Sequence, residues 1–170
     1  CHTRRQRQMC IRDSLPAAVG VQIAHPDKLV IDIAGEASVL MTMQEMSTAV
    51  QYKLPIKIFI LNNQYMGMVR QWQELLHEKN YSESYTAALP DFVKLAEAYG
   101  CVGIQATKPD ELDEKINEMI NTKEPVIFDC RVDPAENCFP MIPSGKPHNQ
   151  MLLGPEDEKE EVSDEGKTLV

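Results

Sequence analysis

Two short polar breaks within apolar sequence have the residue types of a cation-binding site. Glu36 follows the apolar run 29–34 and a glycine, and the consecutive Asn62 and Asn63 end the apolar run 56–61. A carboxylate and a carboxamide supply the oxygen ligands that a hard cation such as Mg²⁺ prefers. A single glycine-acid pair after a strand is more often an ordinary turn or helix cap. Two successive asparagines at a strand end meet no obvious packing need, so the two breaks together favour a cation site.

The two breaks stand at corresponding ends of two predicted parallel strands. Ser38 is a predicted helix N-cap, and the segment between the runs carries apolar residues at helical spacing, namely Val39, Met43, Met46 and Val50. A strand, a helix and a second strand in this order predict a βαβ unit of a parallel sheet. Ligand sites in such sheets lie off the carboxyl ends of the strands. Glu36 and Asn63 are therefore expected on the same rim of the sheet.

The remainder of the chain continues the alternation of strands and helices. After the second strand we expect a helix, with Met66, Val69, Trp72 and Leu76 on one face, and then a polar loop over 79–89. A second helix from Pro90 to Gly100 leads to a strand over 102–105. A third helix begins at a cap formed by Thr107 and Asp110, ends at Ile120, and is followed by a strand over 125–132. Four strands that alternate with helices predict an α/β fold, a doubly wound parallel sheet with helices on both faces.

Both ends of the chain differ in composition from its middle. Residues 1–14 carry four arginines and no apolar periodicity. We expect them to be a foreign or disordered leader rather than a basic arm that binds nucleic acid or a membrane. Residues 154–170 include seven acids and one lysine between Glu156 and Glu165, and are expected to form a disordered tail. The predicted domain covers residues 15–153, a length that suits one α/β domain.

Composition argues against several classes of function. The formal net charge of −9 argues against a nucleic-acid surface, which needs clustered lysine and arginine. No apolar stretch reaches membrane-spanning length, so no membrane contact is expected. Five cysteines without a C-x-x-C pair indicate free thiols in a reducing compartment, and the predicted location is cytoplasmic. The four histidines show no telling spacing to a serine or cysteine nucleophile, which leaves hydrolase chemistry without a candidate.

Glu36 and the paired asparagines resemble the signature of enzymes that use thiamine diphosphate, Gly-Asp-Gly followed by about 25 to 30 residues and Asn-Asn. Beyond this signature, residues 15–153 resemble the acetolactate synthase (acetohydroxyacid synthase) family, most closely in Met43–Ala49, Gly67–Trp72, Leu89–Ala96 and Cys138–Pro143. The resemblance implies the thiamine diphosphate-binding fold of the C-terminal domain of the large catalytic subunit. Enzymes of this family condense two pyruvates, or pyruvate and 2-oxobutyrate, to acetohydroxyacids with loss of CO₂ in valine, leucine and isoleucine biosynthesis.

The resemblance implies a set of Mg²⁺ ligands. Glu36 stands where the family has a ligating aspartate, Asn63 matches the ligating asparagine, and Tyr65 matches the position whose backbone carbonyl completes the protein ligands. Glutamate in place of aspartate adds one methylene where Mg²⁺ demands short, near-octahedral distances. Glu36 is therefore expected either to be tolerated or to weaken binding of the ion.

The resemblance also implies cofactor and substrate contacts. Ala37 and Ser38 match positions that meet the diphosphate, and Gly67 and Met68 match residues that lie against the cofactor. Trp72, together with Met68, is expected to line the acceptor pocket for the 2-oxoacid and to favour 2-oxobutyrate. Helical spacing alone, without the resemblance, favours a core position for Trp72.

Other parts of the family's enzyme are not matched in these residues. They are an amino-terminal pyrimidine-binding domain, whose glutamate drives formation of the cofactor ylid, and a middle domain that carries FAD. The resemblance further implies a homodimer or tetramer of catalytic subunits with a small regulatory subunit. Protein groups orient and activate this cofactor for its carbanion chemistry. The fragment is therefore expected to be inactive alone.

Two alternatives to this interpretation remain. A different thiamine diphosphate-dependent carboligase or decarboxylase could share the metal signature, although Gly67–Trp72 argues against it. A non-catalytic α/β binding module, for example for a nucleotide, is the alternative of a different class. No G-x-G-x-x-G follows any predicted strand, so a nucleotide module has little support.

We predict rapid amide hydrogen exchange throughout Glu156–Glu165, because seven acids with one lysine repel each other and bury no apolar area. Exchange measured by NMR should approach the rate of an unstructured peptide across this stretch. Slow exchange at several of these amides would contradict the prediction.

Overall fold

The computed structural model describes residues 14–86, 88–143 and 145–154, which form two compact units. Residues 14–64 and 88–133 belong to the first unit, and residues 65–86 with 134–154 belong to the second. Most of the predicted leader and all but one residue of the predicted acidic tail lie outside the described residues. Ser14, which the sequence assigns to the leader, is the first residue of a helix.

A four-stranded parallel sheet forms the centre of the first unit. Its strands are β1 (Ile31–Ala34), β2 (Lys57–Asn62), β3 (Val102–Ala106) and β4 (Val126–Arg131). The spatial order is β1-β2-β4-β3, and every pair of neighbours is parallel. The apolar runs of the sequence thus become strands whose carboxyl ends share one rim.

Helices cover both faces of this sheet, as the sequence predicts. The α-helices of the described residues are α1 (Ser14–Ala24), α2 (Glu36–Thr42), α3 (Glu45–Gln51), α4 (Gly67–Leu76), α5 (Phe92–Tyr99) and α6 (Leu112–Asn121), of which α4 belongs to the second unit. On one face α1, α2, α3 and α5 enclose a core that includes Ile58, Ile60 and Ile127. On the other face α6 packs through Met119 against Phe128 and Ile104. The prediction of a doubly wound α/β fold is confirmed.

The segment after β1 differs from the single predicted helix. It forms two helices, α2 and α3, and the residue that caps α2 is Gly35 rather than Ser38. Between the helices the backbone keeps helical dihedral angles at Met43 and Gln44. However, their carbonyls accept hydrogen bonds from residues three positions on, so the ladder tightens and is interrupted. The predicted apolar face survives, because Val39 and Met46 are both buried in the core.

The cap before α6 also differs from the prediction. A short 3₁₀ helix, Pro109–Glu111, precedes α6. The carboxylate that closes it belongs to Glu111 rather than Asp110, because Glu111 accepts hydrogen bonds from the amides of Thr107 and Lys108. Asp110 lies one position too early to reach back to these amides.

A buried lysine fixes the amino end of β2 against the segment that leads into β4. Lys57 Nζ donates hydrogen bonds to the carbonyl oxygens of Thr122 at 2.6 Å and Glu124 at 2.8 Å. Burial lowers the pKa of the Lys57 ammonium, and the Glu124 carboxylate opposes this effect. The two carbonyl contacts explain how a lysine can occupy an interior strand position.

In the second unit, α4 holds the segment that follows residue 133. The Arg70 guanidinium donates to the carbonyl oxygens of Ala135 at 2.6 Å and Glu136 at 3.2 Å, and to Asn137 Oδ1 at 2.7 Å. The Gln71 side chain pairs with both the amide and the carbonyl of Cys138. Residues 135–138 are thus held along α4 by the side chains of Arg70 and Gln71.

Within the residues that the structure describes, no helix combines the length and apolar character needed to cross a membrane.

We predict that Gly103→Ala lowers the free energy of unfolding by about 1–3 kcal/mol, because overpacking a tight contact forces backbone shifts. A Cβ at Gly103 of β3 would lie 2.8 Å from the Cα and the carbonyl oxygen of Val93 in α5. The matched control is Gly20→Ala in α1, where a Cβ meets nothing within 4 Å. This control should gain up to about 1 kcal/mol from helix propensity. Urea unfolding of both variants measures the difference, and equal stabilities would contradict the predicted contact.

Candidate functional site

The first unit brings Glu36, Ala37, Ser38 and Asn63 to one rim of the sheet. β1 pairs with β2 in parallel, with Ala34 opposite Ile60, so the chain leaves both strands on the same side. Gly35 follows β1 in an extended conformation and is the N-cap of α2. The first turn of α2 therefore consists of Glu36, Ala37 and Ser38, and Glu36 is only 1% exposed.

The two asparagines after β2 have different surroundings. Asn62 is buried, and its side chain donates to Asp129 Oδ1 at 2.8 Å and accepts from the amide of Gln64 at 3.3 Å. Asn63 is half-buried and lies between these two fixed residues. The side chain of Asn62 is committed to the fold, and the predicted ligand, Asn63, follows it directly after β2.

The donor set of this rim suits a hard cation. Glu36 offers carboxylate oxygens and Asn63 offers an amide oxygen, which are the ligand types that Mg²⁺ prefers. Among the described residues, no cluster of three histidine, cysteine, aspartate or glutamate side chains could hold a metal. An ion bound here would thus depend on one carboxylate and neutral oxygens, as predicted. A Cβ at Gly35 would meet nothing within 4 Å, so there is open space beside this turn.

Three buried groups, Asp32, Asp129 and Cys130, and the partly exposed Arg131 set the electrostatics within the strands of the first unit. Burial raises the pKa of the Asp32 carboxyl in β1, and a hydrogen bond with Ser14 opposes this effect. Burial, and then the negative charge of Asp129, raise the pKa of the Cys130 thiol. Arg131 Nε lies 3.4 Å from Asp129 Oδ2 and supplies a partly exposed positive charge. A buried carboxylate at position 129 is thus a feature of the rim.

The second unit contains the other four predicted residues, Tyr65, Gly67, Met68 and Trp72. Tyr65 forms an antiparallel bridge with Tyr85, and their ring centroids are 5.0 Å apart. The Arg70 guanidinium carbon lies 5.8 Å from the centroid of the Tyr65 ring, a cation–π distance. These contacts hold the backbone of Tyr65 in place. Gly67 is the first residue of α4, where a glycine costs the helix little.

Met68 and Trp72 line one cavity of the second unit, with a volume of about 590 Å³. Trp72 is half-buried at the wall of this cavity rather than enclosed in a core. Its geometry therefore supports the predicted pocket position over the core position that periodicity alone favours. The volume is within the range of small-molecule sites. The other lining residues are Val69, Gln73, His77 and Asn80.

Sequence reasoning missed some of the residues that shape these sites. Gln73, His77 and Asn80 follow Trp72 on α4 and the next turn without any distinctive motif. Asp129 carries a signal that could have been noticed, because it is the one acid within the apolar strand 126–130. A charged residue in such a strand usually has a specific partner.

The fold and the rim define a class of cofactor enzyme. Residues 9–130 match the family model described as "Thiamine pyrophosphate enzyme, C-terminal TPP binding domain". The chain therefore belongs to this family of thiamine pyrophosphate-binding domains.

Within this family, the chain is similar in sequence to acetolactate synthase catalytic subunits. The chain is 50% identical over 139 residues to the acetolactate synthase large subunit of Cyanidium caldarium, which covers 81% of the chain and 24% of that protein. It is 45% identical over 142 residues to the acetolactate synthase isozyme 3 large subunit of Escherichia coli, covering 82% and 25% respectively. The mitochondrial catalytic subunit of Saccharomyces cerevisiae is 46% identical over 149 residues, covering 87% and 22%. The resemblance predicted from the motifs is confirmed, and the chain spans about a quarter of the length of these relatives.

A solved structure supports the fold independently. The thiamine diphosphate-dependent 4-hydroxybenzoylformate decarboxylase of Rhodococcus jostii RHA1 matches with a TM-score of 0.67 and 31% sequence identity. The match covers 72% of this chain and 23% of that protein. The parallel sheet with its helices is thus the fold expected for a thiamine diphosphate-binding domain.

We predict that Gly35→Ala leaves stability intact but weakens cofactor binding. The φ of −84° suits alanine, and the added Cβ meets no protein atom within 4 Å. In a full-length protein that carries this chain, the methyl group would project into the open space where the family resemblance places the diphosphate, and a clash of about 1–3 kcal/mol corresponds to about 5- to 160-fold in affinity. Thermal unfolding and equilibrium dialysis with thiamine diphosphate measure the two effects. The control Gly20→Ala should bind normally, and normal binding by Gly35→Ala would show that the cofactor does not approach this turn.

Proposed function

We propose that this chain is the thiamine diphosphate-binding part of an acetolactate synthase catalytic subunit. The complete enzyme condenses two pyruvates, or pyruvate and 2-oxobutyrate, to acetohydroxyacids with loss of CO₂, in valine, leucine and isoleucine biosynthesis. One observation carries the proposal: a carboxylate and an amide, Glu36 and Asn63, follow neighbouring parallel strands in a chain with 45–50% identity to acetolactate synthase large subunits.

The proposed metal site holds Mg²⁺ through Glu36, Asn63 and the backbone carbonyl of Tyr65. Asn63 and Tyr65 are two residues apart in the sequence, so one short segment supplies both neutral ligands. A bound Mg²⁺ would supply the positive charge that an acidic protein needs to hold a diphosphate, because carboxylates alone would repel that group. Ala37 and Ser38, in the first turn of α2, are the proposed contacts of the diphosphate.

The remaining proposed roles concern orientation and specificity. When bound, thiamine diphosphate supplies the electron sink for the carbanion chemistry. Gly67 and Met68 lie against the cofactor in this proposal, and Met68 and Trp72 form a wall of the acceptor pocket. The cavity lined by Met68 and Trp72 supports this assignment, because an apolar wall beside polar groups suits a small 2-oxoacid with an alkyl group.

The proposal includes the partners and the compartment of the complete enzyme. We propose a homodimer or tetramer of catalytic subunits with a small regulatory subunit, and FAD bound outside the residues of this chain. We also propose a reducing, cytoplasmic location. The cysteines of the described residues, Cys101, Cys130 and Cys138, are all free thiols, which is consistent with this location.

A second candidate function is a thiamine diphosphate-dependent decarboxylase. The similarity to the Rhodococcus jostii decarboxylase, at 31% identity, favours it. The identity of 45–50% to acetolactate synthases weighs more heavily. The two functions differ in their products, because a decarboxylase releases an aldehyde whereas the carboligase joins the two-carbon unit to a second 2-oxoacid.

The test of the proposal uses a completed protein, in which the upstream part of the Cyanidium caldarium relative precedes Leu15 of this chain. We predict that it converts pyruvate to acetolactate only with both thiamine diphosphate and Mg²⁺, as measured by a product assay.

In the same completed protein, Asn63→Ala should lower cofactor retention by about tenfold or more, the usual effect of losing support for a bound metal, with little effect on folding. The control Asn117→Ala, on α6, should retain the cofactor. Acetaldehyde as the main product would favour the decarboxylase. Turnover by the chain alone, or full retention by Asn63→Ala, would refute the site.

We further predict separate effects of two substitutions in the completed protein, one on metal affinity and one on acceptor preference. Glu36→Asp should tighten Mg²⁺, because the shorter side chain suits its short, rigid bonds. Trp72→Leu should leave cofactor binding unchanged and shift acceptor preference away from 2-oxobutyrate by about 10- to 200-fold, because only the pocket wall changes. Magnesium titrations and competition between pyruvate and 2-oxobutyrate measure these effects. Loss of cofactor from Trp72→Leu, or weaker Mg²⁺ binding by Glu36→Asp, would contradict the respective role.

A further inference from the structure

Asp129 is a fully buried carboxylate on β4, which lies between β2 and β3 in the sheet. Its Oδ1 accepts a hydrogen bond from Asn62 Nδ2 at 2.8 Å, and its Oδ2 accepts one from Gln105 Nε2 at 2.8 Å. The carboxylate therefore joins the carboxyl ends of three neighbouring strands. Burying a charge is costly unless hydrogen bonds compensate it, so this position has a specific requirement that an apolar residue would not meet.

The hydrogen bond to Asn62 fixes the residue directly before Asn63. With its Nδ2 held by Asp129, Asn62 presents Oδ1 to the amide of Gln64 at 3.3 Å. The backbone carbonyl of Asn62 accepts a hydrogen bond from the amide of Val132 at 3.1 Å. Hydrogen bonds thus fix Nδ2, Oδ1 and the backbone carbonyl oxygen of Asn62. The bond to Oδ1 comes from Gln64, the residue after Asn63.

Gln64 has a conformation that needs such support. Its φ is +61°, in the left-handed region that non-glycine residues seldom adopt. The hydrogen bond from its amide to Asn62 Oδ1 closes a short turn around Asn63. The orientation of Asn63 therefore depends on the orientation of the Asn62 side chain, and Asp129 sets that orientation.

We infer that Asp129 is a positioning residue, which acts through Asn62 to hold Asn63 in the orientation that binds the divalent cation. The inference rests on the proposed function and adds a residue outside the set of metal ligands. In other metal sites, partners that orient the ligands change metal affinity by about 10- to 100-fold when they are removed. Asp129 does not contact the ion in this arrangement.

The alternative is that Asp129 only joins strands and contributes to stability. A purely structural role predicts that loss of Asp129 affects metal binding no more than an equally destabilising change elsewhere in the sheet. Gly103→Ala provides this comparison, because its added Cβ clashes with Val93 in α5 and both partners of the Asp129–Asn62 hydrogen bond keep their side chains.

The experiment uses the completed protein and Mn²⁺ as a probe in the presence of thiamine diphosphate. Electron paramagnetic resonance measures free Mn²⁺ and gives its dissociation constant. The variants are Asp129→Leu, which removes the acceptor, and Asp129→Asn, which keeps an oxygen for Asn62. Gly103→Ala is the control for stability. Hydrogen exchange of the peptide that contains Gln64, measured without metal or cofactor, reports whether the turn itself is held.

We expect Asp129→Leu to raise the Mn²⁺ dissociation constant by about tenfold or more, and Asp129→Asn to stay within about threefold of the parent. Gly103→Ala should bind Mn²⁺ as the parent does. Exchange at Gln64 should be faster in Asp129→Leu than in the parent, and unchanged in Asp129→Asn and Gly103→Ala. If Asp129→Leu does not fold, Asn62→Ala cuts the same hydrogen bond from the other side and should give the same loss. If both variants fold, the double variant should lose no more than either single variant.

Two results would overturn the inference in different ways. If the parent binds Mn²⁺ with thiamine diphosphate and Asp129→Leu or Asn62→Ala binds it equally well, Asp129 has no positioning role and the proposed function stands. If the parent itself does not bind Mn²⁺ with thiamine diphosphate, the proposed function fails and the inference fails with it.

Discussion

The parallel pairing of β1 with β2 is the constraint on which the candidate site depends. Since Ala34 lies opposite Ile60, the residues that follow each strand, including Glu36 and Asn63, emerge at one rim. Strand side chains alternate between faces, so a slip of one residue would turn Ala34 outward and Ile33 inward. The apolar core beneath β2 and β4 opposes such a slip, because Ile58, Ile60 and Ile127 are fully buried in it. Non-directional apolar packing thus sets the geometry of a site that requires directional ligands.

Much of the architecture could be predicted from local sequence. Each strand corresponds to a short apolar run, and Asp91 and Gly100 give α5 the N-cap and left-handed C-cap that their residue types indicate. The rim position of Glu36 and Asn63 also follows from sequence, because it needs only two strand ends and the rule for parallel sheets. Local sequence shows where strands and helices end. Because a rim site consists of the residues that follow the strand ends, its position can be predicted from sequence.

Features that depend on distant contacts could not be predicted in this way. The apolar run of β1 does not reveal that Ile33 is 67% exposed, which follows from the position of β1 at the edge of the sheet. Helical spacing cannot distinguish a core position from the wall of a cavity, so the position of Trp72 at a cavity wall is known only from the structure. The cap at Gly35 escaped prediction because its residue has no side chain, and serine is the commoner cap.

The contacts of Arg70 have a consequence for the order of events during translation. Its guanidinium binds the carbonyl of Ala135, 65 residues further along the chain. At about 5–20 residues per second, a ribosome needs several seconds to make this stretch. During this interval Arg70 and Glu74 of α4 have been synthesised, but Ala135 has not. In the finished protein the side chains of Arg70 and Glu74 lie 2.6 Å apart. The intrahelical ion pair can therefore occupy the guanidinium until the later segment emerges, and the second unit is completed only after Ala135 has been synthesised.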